Sequence, residues 1–284
     1  MYLGILSAQT FRVNTESSLR SSSHNKARAR NLFAGTGLLL WLLFLTPPLS
    51  TWTRSYEYVQ ATQYCFFAII IPFLLVAGRP WQWLGLTSNE PVRFDSDGVL
   101  VSPTRPRLFD RVAIARAKRN DHRRAVALTI LFIGQSILWR SSPMVNALVR
   151  HAWLTDIESL ALIVAGAFLW IDLIEAPPFR PGATRPYRIG ISTVSMWSVW
   201  VLAYLMAMSQ NSWYHAIHHV AGGLSQSADQ QFTAGAMWFL SATAFLPVIF
   251  SNLNRWLKSE DDPDEELYQL VRRDRTRGFF GTNP

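Results

Sequence analysis

The chain has 284 residues, of which 49% are hydrophobic and only 16% charged, with 12 Trp, 17 Phe and a formal net charge of +8. A water-soluble domain carries about 25% charged residues, so this composition excludes an ordinary soluble globular protein and points to lipid as the solvent. The single cysteine, Cys65, excludes an intrachain disulfide and the paired-cysteine metal and redox motifs.

Residues 1–31, ending TESSLRSSSHNKARAR, are polar and basic without a sustained apolar period. They predict a mobile cytoplasmic tail. No cleavable signal peptide is expected, because the first long apolar run begins only after them. A membrane-crossing helix needs roughly 20 mostly apolar residues, and six stretches approach this: 32–49, 58–77, 125–139, 152–174, 189–208 and 231–250. The expected fold class is therefore all-α, a polytopic transmembrane helical bundle of about six spans over residues 32–255, with both termini cytoplasmic. The third stretch is short and the fourth carries acids.

Between spans two and three lies a basic loop, residues 79–124. It opens RPWQWLGL, whose tryptophans suit the membrane interface. It continues through FDSDGVLVSPTRP, where Asp97-Gly98 reads as a turn, into RLFDRVAIARAKRNDHRR, which predicts a basic interfacial or solvated helix. Beyond span six, residues 256–284 form a charged tail in which Glu260–Glu266 precede Arg272–Arg277, an order that suits the two ends of a short helix.

The charges are distributed by topology. With six spans and a cytoplasmic N-terminus, 24 of the 27 Lys and Arg fall in cytoplasmic pieces, and the outer connections keep only Arg54, Arg140 and Arg150. This satisfies the positive-inside rule. The basic balance then serves orientation and anionic lipid head groups, and no nucleic-acid partner is expected.

On the outer side this orientation gathers the residues with chemistry. The connection over residues 209–230 carries WYHAIHH, so that His215, His218 and His219 stand in H-x-x-H-H spacing. On a helix, positions i, i+3 and i+4 share a face and can offer imidazole nitrogens to one ion. An interfacial segment beside Trp213 and Tyr214 is the alternative. His151 stands at the outer end of span four, and Asp156 and Glu158 follow in its first two turns. Acids inside a span are costly, about 2.5–3.5 kcal/mol each, so Asp156, Glu158 and Asp172 should face the bundle or its water. Asp156 and Glu158 either pair with Arg150 or His151 to lock helix packing, or serve a metal or proton site. Gln60 and Gln63 share one face of span two, with Tyr64 and Cys65 beside them.

The spacing of WYHAIHH is similar to the histidine boxes of membrane di-iron enzymes, but those need about eight histidines, and this chain has six, with His24 and His122 on the cytoplasmic side. Neither HEXXH nor HXXEH occurs, and no G-x-S-x-G or P-loop signature is present. The chain is therefore not expected to be an enzyme. Cuprous copper takes imidazole and thioether ligands readily, and an outer cluster of His and Met suits transient holding of that ion.

Span six opens DQQFTAGAMW, from Asp229 to Trp238. This resembles the D-Q-Q-x-small-Gly-x-x-Met-Trp signature of the CtaG-type cytochrome c oxidase assembly factors. Span two, with its Thr62-Gln63 pair, apolar helix, Pro72 and Gly78-x-Pro80 exit, and span four, ending LWIDLIEAPPF, are similar to further segments of that family. The likeness runs over roughly residues 57–258. Two family histidine motifs are absent. Gln60 stands where a histidine usually precedes the T-Q pair, and the region expected to hold H-x-P reads SILWRSSP.

The resemblance implies a multi-pass protein of the bacterial inner (plasma) membrane that assists maturation of a haem-copper oxidase by supplying copper. Its motif points to Asp229, Gln230, Gln231 and Met237, and Asp229, Thr233 and Met237, spaced by four, should line one face of span six. The copper ligands expected are His151, His215, His218, His219 and Met237, with Asp229, Gln230, Gln231, Glu158 and Asp156 in support. Expected partners are membrane lipids and oxidase subunits. The competing expectation is a non-catalytic accessory subunit packed against a respiratory or photosynthetic membrane complex.

Overall fold

The computed structural model describes residues 27–87, 93–94, 100–101, 105–117, 121–179, 183–209, 213–214, 217 and 223–258. Helix α1 covers residues 27–45 and α2 Leu49–Trp52. The second apolar segment forms α3, Glu57–Cys65, a π-helical turn over Phe66–Ile70, and α4, Ile71–Gly78, without a break. After α5, Pro80–Trp83, the two-residue strands β1, Arg93–Phe94, and β2, Leu100–Val101, pair antiparallel and flank the expected Asp97-Gly98 turn, which itself lies outside the described residues. Then come α6, Leu108–Ala117; α7, Asp121–Trp139; α8, Ser142–Arg150; α9, Trp153–Leu173; α10, Arg185–Met208; and α11, Gln226–Leu257. Residues 1–26 and 259–284, the bulk of the two expected tails, also lie outside the described residues.

The protein is an all-helical membrane bundle. Four helices are long and apolar enough to cross a bilayer: Glu57–Gly78, Trp153–Leu173, Arg185–Met208 and Gln226–Leu257. A fifth crossing is reached if α7 and α8, bent by 62° at their junction, count as one broken span. The expectation was about six. The difference falls on α1, whose first turn carries Arg28 and Arg30, and on the short third stretch, which ends at the bend. Many large apolar side chains, among them Leu39, Ile130, Val164, Trp197 and Phe239, face outward, as a surface solvated by hydrocarbon requires.

Within the bundle α10 packs most extensively on α11, α11 on α3, and α4 and α7 on α9. The π turn has a local cause. Pro72 lacks the N–H that would bond the carbonyl of Ala68, and the widened turn just before it accommodates this defect. Trp170 on α9 donates its indole N–H to the carbonyl of Ile69 at 2.9 Å, and its ring stacks on Phe245 of α11. Opposite the π turn sits Gly166, where an added Cβ would lie 2.4 Å from the Ala68 carbonyl oxygen and 2.7 Å from Pro72 Cγ. Gly78 plays the same part against α1, since a Cβ there would stand 2.4 Å from the backbone nitrogen of Ala34.

One end of the bundle collects the basic segments. Arg30 donates to Gln82, Arg79 to the backbone carbonyl of Glu175, and both Arg116 and Arg124 to Asp172. Asp172 is buried, as the cost of an intramembrane acid demands, and its two arginines fasten α6 and the start of α7 to the end of α9. The segments that the positive-inside rule requires on one side thus share one side.

Gly166→Ala should lower the thermal stability of the detergent-purified protein by about 1–3 kcal/mol, the usual cost of overpacking. Gly235→Ala, where a Cβ meets nothing within 4 Å, should leave stability unchanged or raise it; equal melting curves for the two would contradict this packing.

Candidate functional site

The end opposite the basic one holds the polar chemistry. Helix α3 begins after Tyr56, whose side chain provides no cap. The cap comes from α11 instead: Asp229 accepts the N–H of Glu57 at 2.8 Å and that of Tyr58 at 2.9 Å, one on each carboxylate oxygen. A carboxylate here satisfies two orphan donors and meets the positive end of the α3 dipole. The next residue, Gln230, donates from Nε2 to the carbonyls of Met206 and Ser209, which close the C-terminus of α10. Thus Asp229 caps the start of one neighbour and Gln230 the end of the other. Gln231 is exposed, whereas Thr233 and Met237 are fully buried on the Asp229 face, as the spacing by four predicted.

Below this double cap lies Arg140, the last residue before the α7–α8 bend, and it is completely buried. Its guanidinium donates to Gln60 Oε1 and lies 3.8 Å from the Met206 sulfur. The same group sits over the rings of Tyr64, at 5.7 Å, and Tyr214, at 4.9 Å. Such cation–π contacts contribute most where water is excluded, up to about 2 kcal/mol. The Tyr214 hydroxyl donates to the backbone carbonyl of Arg140 at 3.0 Å. Burial pushes this hydroxyl up to about 12, with Arg140 pulling it partly back, so it stays protonated and able to donate. Glu158 is 1% exposed, its Oε1 makes no hydrogen bond, and Arg140 is the opposite charge acting on it. Glu57 is buried at the same end. An ionisable group this deep marks a functional position by default, and here a buried guanidinium and two buried acids, Glu57 and Glu158, share one end of the bundle.

This corrects the expected pairing of Asp156 and Glu158 with Arg150 or His151. Residues two apart on a helix point in nearly opposite directions, so Asp156 is exposed while Glu158 turns inward. Arg140 was assigned to an outer connection by charge counting, but it stands at the 62° bend between α7 and α8 and is fully buried, in contact with Gln60, Met206 and two tyrosine rings. His151 ends α8 and is exposed, whereas Met237 is fully buried. His215, His218 and His219 lie outside the described residues, but their neighbours Tyr214 and Ile217 are buried at 0% and 4% exposure. Among the described residues no group of three or more His, Cys, Asp or Glu is placed to hold a metal ion.

Gln60, which stands where a family histidine usually precedes the T-Q pair, is touched by Arg140 from the SILWRSSP stretch. A fixed guanidinium beside Met206 repels a second cation, so the buried cluster is unsuited to cuprous ion. From sequence Gln60 had a face but no partner, and Arg140 carried only the signal of a charge beside a tryptophan at a span end.

The fold and this end define the protein's class, the all-helical membrane bundles whose polar residues cap neighbouring helix ends. Its family follows from comparison: the family model for the cytochrome c oxidase caa3 assembly factor (Caa3_CtaG) matches residues 13–259, and the chain belongs to that family. No curated protein and no solved structure matches it.

Two substitutions test the site. Asp229→Ala removes the cap of α3 and should cost about 1–2 kcal/mol of stability, with Asp229→Asn recovering part of it; both are read from thermal unfolding in detergent. Arg140→Met leaves Gln60 Oε1 without its donor and Glu158 without the positive charge that acts on it, and should cost about 1–3 kcal/mol. Adding Glu158→Gln should restore stability relative to that single variant, and a double variant less stable than Arg140→Met would refute their coupling.

Proposed function

We propose that this chain is a non-catalytic assembly factor of the bacterial inner membrane that holds copper transiently at the outer face for delivery to cytochrome c oxidase. Family membership supports the oxidase-assembly role. In this reading the basic end faces the cytoplasm and the capped end faces outward. The observation that supports the copper assignment is the position of two residues next to the histidines: Tyr214 bonds the carbonyl of Arg140 and Ile217 is buried, both at the end that holds Asp229.

Copper is cargo in this scheme. The imidazoles of His215, His218 and His219 are its holders, and His151, exposed at the same end, is a candidate fourth. Met237, two helical turns below Asp229 on the buried face, is a deeper thioether that the ion meets only after leaving the loop. Imidazole and thioether donors hold cuprous ion without demanding a rigid geometry, which suits release to a partner. The buried Arg140 keeps the cation from descending into its own cluster. Asp229 and Gln230 position the loop's exit by fixing the start of α11, with Gln231 exposed beside them and Asp156 on the outer surface.

Anaerobic loading of the detergent-purified protein with cuprous ion should give stoichiometric binding that falls at least tenfold in the His215→Ala/His218→Ala/His219→Ala variant. Cells lacking the protein should assemble oxidase with depleted copper. Unchanged copper binding in the triple variant refutes the loop site. Normal oxidase copper, with the protein co-purifying stably with the complex, favours an accessory subunit instead.

A further inference from the structure

At the basic end, the ends of α4, α9 and α11 and the start of α10 enclose a cleft of about 420 Å³. Arg79, Arg188 and Arg255 line it together with Glu175, against an apolar wall that includes Leu173 and Val248. Three guanidiniums line the cleft beside one carboxylate that compensates weakly; Arg188 also bonds the Ala183 carbonyl and feels Asp172, an acid already paired with Arg116 and Arg124. Glu175 is 62% exposed, and its contacts with Arg188 and Arg255 are long, at 3.8 and 3.9 Å. Exposed pairs of this kind contribute little, so the cleft keeps a net positive field.

Arg79 is placed there by its backbone. It adopts the left-handed conformation, φ 52°, between α4 and α5, the only non-glycine residue among those described to do so. Its Nη2 donates to the Glu175 carbonyl at 2.6 Å, while its Nε is buried and makes no hydrogen bond. Burial, and then Arg30, lower its pKa from the ordinary arginine value, with Glu175 opposing them. A desolvated guanidinium with an unused donor, beside two more, is poised for an anion. Arginine presents a planar fork that matches phosphate oxygens, and basic pockets between transmembrane helices on the cytoplasmic side accept anionic head groups.

We propose that this cleft binds the phosphate group of an anionic lipid of the inner leaflet, with Arg79, Arg188 and Arg255 as its donors. The lipid is favoured over a free phosphate ion by position. The guanidiniums stand at the ends of membrane-crossing helices, where inner-leaflet head groups lie, and Leu173 and Val248 give the cleft an apolar wall beside them.

The test uses the full chain in nanodiscs of phosphatidylcholine with a minor fraction of phosphatidylglycerol, and native mass spectrometry to count retained lipids. Phosphatidylglycerol should be retained in clear excess over its bulk fraction. Arg188→Gln/Arg255→Gln should reduce that enrichment about tenfold, and Glu175→Gln, which removes the opposing charge, should increase it. The Glu175 variant keeps the test decisive if the double variant fails to fold. Equal retention of the two lipids, or enrichment that neither variant changes, overturns the proposal. Saturable binding of inorganic phosphate in pure phosphatidylcholine discs, without enrichment of phosphatidylglycerol, overturns the lipid assignment in favour of the free ion.

Discussion

The carboxylate of Asp229 holds the first two N–H groups of α3 from another helix, and the arrangement of the outer end depends on that bond pair. A helix end in lipid cannot rely on water for its unsatisfied groups. Here the donors of α3 and the acceptors of α10 are answered by successive residues of α11. Because α11 packs on both neighbours, this fixes the relative heights of three membrane-crossing helices at one level. The most specific part of the family motif, D-Q-Q, is thus explained in its first two residues by backbone chemistry before any ligand is invoked.

Charge in the membrane imposes the second constraint, and the two ends meet it differently. At the basic end Asp172 takes two arginines and becomes a joint between α6, α7 and α9. At the other end Arg140 is held by an amide, a thioether and two aromatic faces, with Glu158 as its electrostatic counterpart. The first arrangement gains from direct pairing. In the second, soft and aromatic partners surround the cation while part of the acid remains without a hydrogen bond, which leaves a polarised interior that excludes further cations.

Much of the architecture was legible in the sequence, because long apolar runs and the position of arginines are one-dimensional signals. The spacing of Asp229, Thr233 and Met237 likewise gave their shared face, and all three are buried. What could not be read was which way a charge turns at a helix end. Arg140 sits in ILWRSSP, which reads as a connection, and only the bend between α7 and α8 places it inside. Asp156 and Glu158 looked equivalent in sequence, although half a helical turn separates an exposed acid from a buried one. The π turn was equally hidden, since Pro72 announces a defect but not the form in which the helix absorbs it.

Tyr214 has a further consequence. Its ring covers the Arg140 guanidinium while its hydroxyl bonds the carbonyl of that same residue. Tyr214 is therefore fastened to Arg140 by both ends of one side chain, so that removing that side chain uncovers the cation and frees its carbonyl together.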